Sequence, residues 1–421
     1  MLPLLRFLLP LALLPILPAA DWPQWRGPTQ DGHAAPGTPR LSSLPAAPTV
    51  VWEQAVGDGL GSPVVSDGRV FLLDHQDGKE VVHAFKSDNG AELWHRPIDD
   101  VFRDTQSAPG PRSTPMVDGD RVYVVSCQGE FQCLNVADGK LVWRTHYVKD
   151  FGAVFFGERG PAAGASRHGN TASPLVLGDD LLVAVGGTNG ASVVRCDKRT
   201  GQVRWKSQDD IPGHSGPVLA RLADIPQAIS FTAPGVMAVD PRDGRLLWRV
   251  PVKSTIGRHI TTPVIAEDLV LVSSRQAGLI AFKPTPPTTA GEPWPVETAW
   301  VSKELAVNFS CPIAVNGHLY GVGPTPNLFC ADIRNGRSAW SKEGLFAGSG
   351  ETAYAGFILL GNAILMLADT GEIILFAADP KEYRELGRAQ VCGRNWCNPA
   401  FVDGRLFVRD AKTLRAVNLK P

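Results

Sequence analysis

Short apolar runs rich in Val, Leu, Ile and Phe alternate with turn residues along nearly the whole chain. Asp67-Gly68, Asp118-Gly119, Asn316-Gly317 and Asp403-Gly404 are examples of these turns. Apolar runs bounded by such dipeptides predict β-strands joined as hairpins. The runs come in groups of four, so each group predicts a four-stranded antiparallel meander.

The groups are copies of one repeat. The second begins TPMVDGDRVYVVSCQGEFQCLNVADGKLVW at Thr114 and resembles the first, which begins at Ser62. The copies begin at Ser62, Thr114, Ser173, Gly216, Thr262, Cys311, Ala355 and Asn398. Their spacing of roughly 40 to 50 residues is that of a propeller blade. We therefore predict an all-β fold, an eight-bladed β-propeller of four-stranded antiparallel blades.

A Gly-Trp pair recurs near the end of most copies. In each pair a glycine precedes a tryptophan by four positions, as in Gly90 and Trp94, Gly139 and Trp143, Gly201 and Trp205, Gly244 and Trp248, and Gly336 and Trp340. We expect Trp300 to occupy the same place after the proline-rich insertion Pro284–Trp294, which we interpret as a stiff surface excursion. One tryptophan per blade at one position indicates packing between blades rather than a ligand site.

The last copy lacks a fourth strand. It contains three strands within 398–419, whereas 49–56 reads as an outer strand with Trp52 in place. We predict that this N-terminal strand completes the last blade and leaves no exposed sheet edge there. The predicted organisation is a signal peptide at 1–20, an N-terminal extension at 21–48 and a single propeller at 49–421.

Residues 1–20 indicate export. Arg6 precedes an apolar run that ends in small residues, the layout of a secretory signal. Pro10, Pro15 and Pro18 interrupt the run and disfavour a membrane-spanning helix. We expect a periplasmic or extracellular protein with no integral membrane span after cleavage. No cysteine follows the segment, so we expect no lipid-attachment site there.

Composition narrows the function. The formal net charge is -1 and only 20% of residues are charged, so nucleic-acid binding is not expected. Two pairs among the seven cysteines, Cys127 with Cys133 and Cys392 with Cys397, could form local disulfides in an oxidising compartment. The absence of C-x-x-C from the sequence removes the usual zinc and redox motifs. The P-loop, H-E-x-x-H and G-x-S-x-G patterns are likewise absent from it.

The Gly-Trp repeats resemble a known family. The pattern A-x-D-x-x-x-G-x-x-x-W at Ala238–Trp248, and more loosely at Ala84–Trp94 and Cys330–Trp340, is similar to the docking motif of the pyrroloquinoline-quinone (PQQ) repeat propellers. That superfamily includes quinoprotein alcohol dehydrogenases and outer-membrane assembly proteins of the BamB type. The opening Asp21–Pro28 is similar to the start of other exported propellers of this type.

The chain departs from both groups. It has no adjacent cysteine pair of the kind found in the dehydrogenases, and no lipid-bearing cysteine of the BamB type. The resemblance therefore implies the fold more strongly than a function, because the repeats are scaffold residues.

The loops between blades offer the candidate site, since they share one face of the ring. We predict a ligand site there from Arg112, His168, Asn170, His214, Arg258, His259, Asn308, Glu351, Arg394, Asn395 and Trp396. Cations and hydrogen-bond donors outnumber carboxylates, which favours an anionic or strongly polar partner. The alternative, solvated residues that cap strand ends, stays open. The connection 144–170, with Phe151, Phe155 and Phe156, is either a partner-contacting loop or a packed one.

The preferred hypothesis is a non-catalytic exported scaffold that binds a protein, peptide or glycan and needs no cofactor. The alternative is a PQQ-dependent dehydrogenase that uses calcium and oxidises an alcohol or sugar. In that case Arg112, Arg258 or Arg394 would hold the quinone carboxylates, Trp396 would stack on its plane, and Glu351 or Asp58 would be the base or a calcium ligand. A glycan lyase or hydrolase, the third hypothesis, would need an aromatic and carboxylate groove.

Overall fold

The computed structural model describes residues 21–103, 108–154, 168–187, 189–254, 257–289, 291–348 and 352–420. The predicted signal peptide 1–20, Phe155, Phe156 and Glu351 lie outside the described residues.

The described chain forms eight four-stranded antiparallel sheets, which confirms the predicted eight-bladed propeller. An N-terminal strand, β1 (Thr49–Ala55), precedes the first blade. Blade 1 comprises β2 (Val64–Ser66), β3 (Arg69–Gln76), β4 (Lys79–Lys86) and β5 (Glu92–Asp100). Blade 2 comprises β6 (Met116–Asp118), β7 (Arg121–Val125), β8 (Glu130–Asn135) and β9 (Leu141–His146). Blade 3 comprises β10 (Leu175–Leu177), β11 (Asp180–Gly187), β12 (Ala191–Asp197) and β13 (Val203–Ser207).

The later blades follow the same order. Blade 4 comprises β14 (Val218–Leu222), β15 (Ile225–Phe231), β16 (Gly235–Val239) and β17 (Leu246–Pro251). Blade 5 comprises β18 (Val264–Ala266), β19 (Leu269–Ser274), β20 (Gly278–Pro284) and β21 (Val296–Ser302). Blade 6 comprises β22 (Ile313–Val315), β23 (His318–Val322), β24 (Asn327–Asp332) and β25 (Ser338–Glu343). Blade 7 comprises β26 (Ala355–Leu360), β27 (Ala363–Ala368), β28 (Glu372–Ala377) and β29 (Glu385–Gln390). Blade 8 comprises β30 (Ala400–Val402), β31 (Arg405–Arg409), β32 (Thr413–Asn418) and β1.

The N-terminal strand closes the ring as predicted. β1 pairs antiparallel with β32, from Thr49 opposite Asn418 to Ala55 opposite Thr413. Trp52 lies opposite Ala416, the place that a tryptophan occupies on the outer strand of most other blades. Joining the first and last strands in one sheet removes a free edge from each.

Six seams, the interfaces between neighbouring blades, are held by a docked tryptophan. Each indole N–H donates to a backbone carbonyl of the next blade. The pairs are Trp52–Ser87, Trp94–Val136, Trp143–Lys198, Trp205–Pro241, Trp300–Ile333 and Trp340–Asp379, at 2.8 to 3.3 Å. In five of these six seams the indole covers the glycine of the neighbouring turn. A methyl group on Gly139, for example, would lie 2.6 Å from Trp94. This is the packing role that the sequence predicts.

The seam between blades 4 and 5 is built differently. Trp248 donates to Oε1 of Gln227 within its own blade, at 2.7 Å. Trp294 takes part in the same apolar cluster, and its backbone N–H donates to the carbonyl of Leu247 at 2.8 Å. The interpretation of Pro284–Trp294 as a surface excursion is therefore wrong at its end. Trp294 is only 6% exposed, because it fills the space beside Trp248.

The N-terminal extension enters the centre of the ring. Trp22 pairs with Val65 of the innermost strand of blade 1, and the carbonyl of Pro23 accepts from Val117 in blade 2. Arg26 is 4% exposed and donates to the carbonyl of Pro312, at 2.7 Å, beside blade 6. Residues 21–34 therefore form a plug that contacts innermost strands on opposite sides of the ring.

The extension also completes the seam between blades 7 and 8. Gly387 lies opposite Leu375 in β28, the register at which other blades carry the docking tryptophan. Leu41 and Leu44 pack into the apolar cluster there, and a methyl group on Gly387 would lie 3.0 Å from the amide nitrogen of Leu44. Apolar side chains from the extension thus replace the missing indole.

Two further expectations are corrected. All seven cysteines are free and buried, so the proposed local disulfides are absent. Cys133 packs in a core cluster, whereas Cys127 Sγ donates to the carbonyl of Gly110 at 3.4 Å. The connection after β9 starts with a short helix, α1 (Tyr147–Phe151), rather than a loop. Tyr147 of this helix is buried. No helix within the described residues is long and apolar enough to cross a membrane.

Candidate binding funnel on the inter-blade loop face

Five of the predicted site residues line one cavity of about 360 Å³. They are Arg112, His168, His214, Arg258 and Trp396. They come from the loops that precede blades 2, 3, 4, 5 and 8, so the ring gathers side chains that are far apart in sequence. We call this cavity the funnel. Its volume lies within the usual range for small-molecule or side-chain pockets.

A cation and two aromatic rings are stacked along one wall of the funnel. The guanidinium carbon of Arg258 lies 5.7 Å from the ring centre of Phe309. The rings of Phe309 and Trp396 lie 5.6 Å apart at an interplanar angle of 15°. Trp396 is 38% exposed, unusual for so large an apolar side chain. The wall can contact apolar groups while its cation attracts an anion.

Histidines and hydroxyl groups also line the funnel. The rings of His168 and His214 lie 5.6 Å apart. Thr171 Oγ1 donates to the carbonyl of His214 at 2.8 Å, which fixes the loop. Ser173 and Ser215 also line the funnel and supply hydroxyl groups.

Arg112 is positioned by its own loop. Nη1 donates to the carbonyl of Gly110 at 3.3 Å and to Sγ of Cys127 at 3.4 Å. Its guanidinium carbon lies 5.6 Å from the ring centre of Phe102. These contacts orient the guanidinium group of Arg112 at the funnel. Arg112 and Arg258 therefore bring positive charge to the funnel.

A second cavity of about 290 Å³ adjoins the funnel. Trp396 lines both cavities, and Arg394 and Asn395 line the second. Asp58 also lines the second cavity. The two cavities form one continuous candidate surface on the loop face.

Comparison with known proteins identifies the family. Residues 77–342 match the family described as "Outer membrane protein assembly factor BamB", which is more than half of the chain. The chain belongs to this family. The resemblance to PQQ-repeat propellers is thereby confirmed.

Full-length relatives are distant in sequence. The chain is 22% identical over 382 residues to the outer membrane protein assembly factor BamB of Yersinia pestis, covering 87% of this chain and 77% of that protein. It is 23% identical over 399 residues to BamB of Shewanella oneidensis, covering 89% of each. Among solved structures, the quinohemoprotein alcohol dehydrogenase of Comamonas testosteroni superposes with a TM-score of 0.63 at 14% identity, covering 94% of this chain and 80% of that chain. That likeness shows the shared fold.

This BamB-family propeller places the other predicted residues outside the funnel wall. His259 is fully buried: it stacks on Phe231 at 4.1 Å, and Nδ1 donates to the carbonyl of Thr232 at 2.7 Å. Burial lowers the pKa of His259, which favours its neutral form. His259 therefore supports the loop that presents Arg258.

Three asparagines also serve the loops. Asn170 is buried, and its Nδ2 donates to the carbonyl of Ala172 at 3.2 Å. Asn395 is buried and Nδ2 donates to the carbonyl of Ala368 at 3.1 Å. Asn308 is half-buried next to Phe309 and lines neither of the two cavities. Glu351 lies outside the described residues and stays a prediction.

Sequence reasoning missed Trp25. Its indole N–H donates to Oγ1 of Thr262 at 3.0 Å, and the ring lines the funnel. Trp25 belongs to the plug, which enters from the opposite end of the innermost strands. The available signal was a tryptophan in the N-terminal extension, outside the repeats.

The described residues that line the two cavities do not supply a calcium site for a bound quinone. Among the described residues that line the funnel, none is a carboxylate. Asp369 and Asp410 in the second cavity accept backbone N–H groups, from Gly348 at 2.7 Å and from Gly393 at 2.8 Å respectively. The described carboxylates there do not gather into a group that could hold a metal ion. Trp396, which the dehydrogenase alternative assigns to stacking on the quinone, stacks on Phe309.

Proposed function

We propose that this protein is an exported, non-catalytic scaffold that binds a polypeptide partner at the funnel. The observation that carries the proposal is the convergence of Arg112, Arg258 and Trp396, from three separate blades, on one cavity. Membership of the BamB family supports a scaffold role. Residues 1–20 support export to the periplasm or cell exterior.

The chemistry of the funnel defines the partner segment. Arg258 and the Phe309–Trp396 stack present positive charge beside an aromatic surface. A segment with an acidic group next to an aromatic or aliphatic side chain would satisfy both. The cavity of about 360 Å³ admits side chains rather than a folded domain, so the partner inserts a short segment while the surrounding loops contact its surface. This binding requires no cofactor.

The relatives make a polypeptide the preferred partner over a glycan. These relatives are named outer membrane protein assembly factors, and that name implies that they act on other proteins. A glycan would use the same aromatic wall, but it would gain less from the two arginines unless it carried acidic groups.

Site-specific photo-cross-linking in the producing cell tests the proposal. A benzophenone side chain at Leu60, which lines both cavities, is expected to form a discrete adduct with an envelope protein. The matched control places it at the exposed Asp179, in the turn between β10 and β11 on the opposite face. Arg258→Glu should abolish the Leu60 adduct. Equal adducts from both positions, or an adduct indifferent to Arg258→Glu, would contradict funnel binding.

The dehydrogenase alternative has its own test. Purified protein is incubated with PQQ and calcium, and its Tm and dye-linked oxidation of alcohols and sugars are measured. The scaffold proposal predicts no Tm shift and no turnover. Turnover that is lost in Arg112→Ala would instead establish the enzyme.

A further inference from the structure

Blade 1 carries a group of three potential metal ligands away from the funnel. His83 lies on β4, and Glu92 and His95 lie on β5. One ligand atom from each side chain lies within 4.8 Å of the other two. His83 Nδ1 is 2.7 Å from Glu92 Oε1, and His95 Nδ1 is 3.3 Å from the same oxygen. No other such group of three was found among the described residues.

The strand register explains the cluster. His83 lies directly opposite His95, so both side chains project from the same face of the sheet. A β-bulge shifts the register between Ala84 and Phe85, which places Glu92 opposite Phe85 on that same face. The bulge thus adds a third ligand to a cross-strand histidine pair.

A buried carboxylate orients His83. Asp74 on β3 is fully buried, and its Oδ1 accepts a hydrogen bond from His83 Nε2 at 3.0 Å. Its Oδ2 accepts from the backbone N–H of Gly57 at 2.7 Å and from Gln76 at 3.1 Å. With Nε2 committed to Asp74, Nδ1 is the nitrogen that faces Glu92. Metal-binding histidines are commonly held by a carboxylate in this way.

The group is not part of the repeated scaffold. The cross-strand pairs equivalent to His83 and His95 in blades 2 to 7 are Gln132–Arg144, Val194–Lys206, Met237–Arg249, Ile280–Val301, Phe329–Ser341 and Ile374–Arg388. In none of these pairs are both residues metal ligands. Blade packing alone therefore does not account for two histidines at this position.

We propose that His83 Nδ1, Glu92 Oε1 and His95 Nδ1 bind a divalent transition metal ion such as Zn²⁺, with a fourth position open to water. Ligand atoms about 2.0 to 2.1 Å from a tetrahedral zinc lie about 3.4 Å from one another. The His95–Glu92 separation of 3.3 Å already matches, and the 2.7 Å separation of His83 and Glu92 has to widen by less than an ångström. The side chains of Glu92 and His95 are 40% and 58% exposed, which gives the ion access.

The site lies at the closure of the ring. Gly57, whose N–H donates to Asp74, lies two residues after the end of the closing strand β1. A metal on β4 and β5 would tighten the blade against which β1 packs, and it would do so independently of any partner in the funnel. Binding to the folded chain should therefore raise its Tm.

Zinc titration of the full chain after chelator treatment and dialysis tests the site. Calorimetry should show one equivalent of Zn²⁺, and Co²⁺ should give the visible absorption of a tetrahedral complex. His95→Gln removes an exposed ligand with little risk to folding, and we expect at least a tenfold weaker affinity. His318→Gln, which removes a histidine from β23 in blade 6, is the matched control and should bind like the wild type.

The orienting role of Asp74 has a separate readout. Asp74→Asn should weaken zinc binding about 10- to 100-fold, with circular dichroism used to confirm that the variant is folded. Failure of the wild type to bind a stoichiometric ion would overturn the proposal. Binding that is unaffected by both His95→Gln and Glu92→Gln would also overturn it and would leave Asp74, His83 and Glu92 as an ion-paired support only.

Discussion

The seams and the funnel are both built from the eight blades of the ring, but most seams repeat one residue type at one position and the funnel does not. In six seams a tryptophan occupies one equivalent position and bonds to the next blade, as Trp94 does to Val136. In the funnel, the contributing loops supply side chains that do not follow the repeat, such as Arg112, His214 and Trp396. Residues that repeat hold the blades together, and residues that differ between blades form the binding surface.

Two seams depart from the repeat and sharpen the contrast. Trp294 from the insertion fills the seam beside Trp248, and Leu44 from the extension lies against Gly387. In both cases another segment supplies the missing apolar volume. The space between two blades is therefore filled with apolar side chains even where the tryptophan-glycine contact is missing.

The largest effect is expected from removing a seam tryptophan. Trp143 is 9% exposed, contacts Phe131 edge to face at 5.1 Å and donates to Lys198. Trp143→Ala should lower the free energy of unfolding by about 4 kcal/mol, because it leaves a large cavity between blades 2 and 3. Urea denaturation measures the change. Trp143→Phe, which keeps an aromatic ring, should lower the free energy of unfolding clearly less. A decrease of less than about 1 kcal/mol for Trp143→Ala would contradict the role of this tryptophan in the seam.

The next effect depends on pH. Burial raises the pKa of Glu80 to about 7, although its Oε2 accepts from the Cys127 N–H at 3.0 Å. The folded state therefore holds a proton that the unfolded state releases near pH 4.5. The contribution of Glu80 to the free energy of unfolding is greatest below that pH and falls by about 3 kcal/mol as the pH rises to about 7.

Glu80→Gln isolates this contribution. Stability curves of wild type and variant, measured by urea denaturation from pH 4.5 to 8, should differ by that amount across the interval. Parallel curves would show that Glu80 does not titrate in the folded state above its ordinary pKa.

Two glycines with positive φ distinguish the stability that comes from the docking contact from the cost of backbone strain. Gly139 has a φ of +67°, and a methyl group there would meet Trp94 at 2.6 Å. Gly119 has a φ of +56° with nothing within 4 Å of the added methyl group. Gly139→Ala should cost about 2 kcal/mol and Gly119→Ala about 1 kcal/mol, since only the first displaces an indole. Equal losses in thermal denaturation would mean that the contact contributes nothing.

The smallest change in stability is expected in the funnel. Trp396→Ala should alter the free energy of unfolding by less than about 1 kcal/mol, because the side chain is 38% exposed and loses mainly its stacking on Phe309. The same denaturation assay checks it. A loss like that of Trp143→Ala would erase the distinction between the funnel and the seams.

The repeat made most of the fold predictable. The eight starting points and the closing strand with Trp52 could be found because each blade repeats one pattern. The plug formed by residues 21–34 could not be found, because it has no internal copy and its partners, such as Pro312, lie far along the chain. Trp294 was misjudged since prolines around it suggested a surface segment.

The site was predictable only in part, because its residues do not follow the repeat. Loop position nominated Arg258 and Trp396, and both line the funnel. It could not distinguish them from the adjacent His259, which turns inward and stacks on Phe231. The His83 group escaped motif searches because a cross-strand register and a bulge, rather than a fixed spacing, bring its members together.

The affinity of the cross-linked partner for funnel variants is the most direct test of the account. We expect Arg258→Ala to raise the Kd roughly thirtyfold, a loss of about 2 kcal/mol typical of a binding hot spot. Its Tm should equal that of the wild type. Gly139→Ala, a seam variant that stays folded at the assay temperature, should leave the Kd unchanged. An unchanged Kd for Arg258→Ala, or equal losses for the funnel and seam variants, would contradict the claim that the unrepeated loop residues bind the partner.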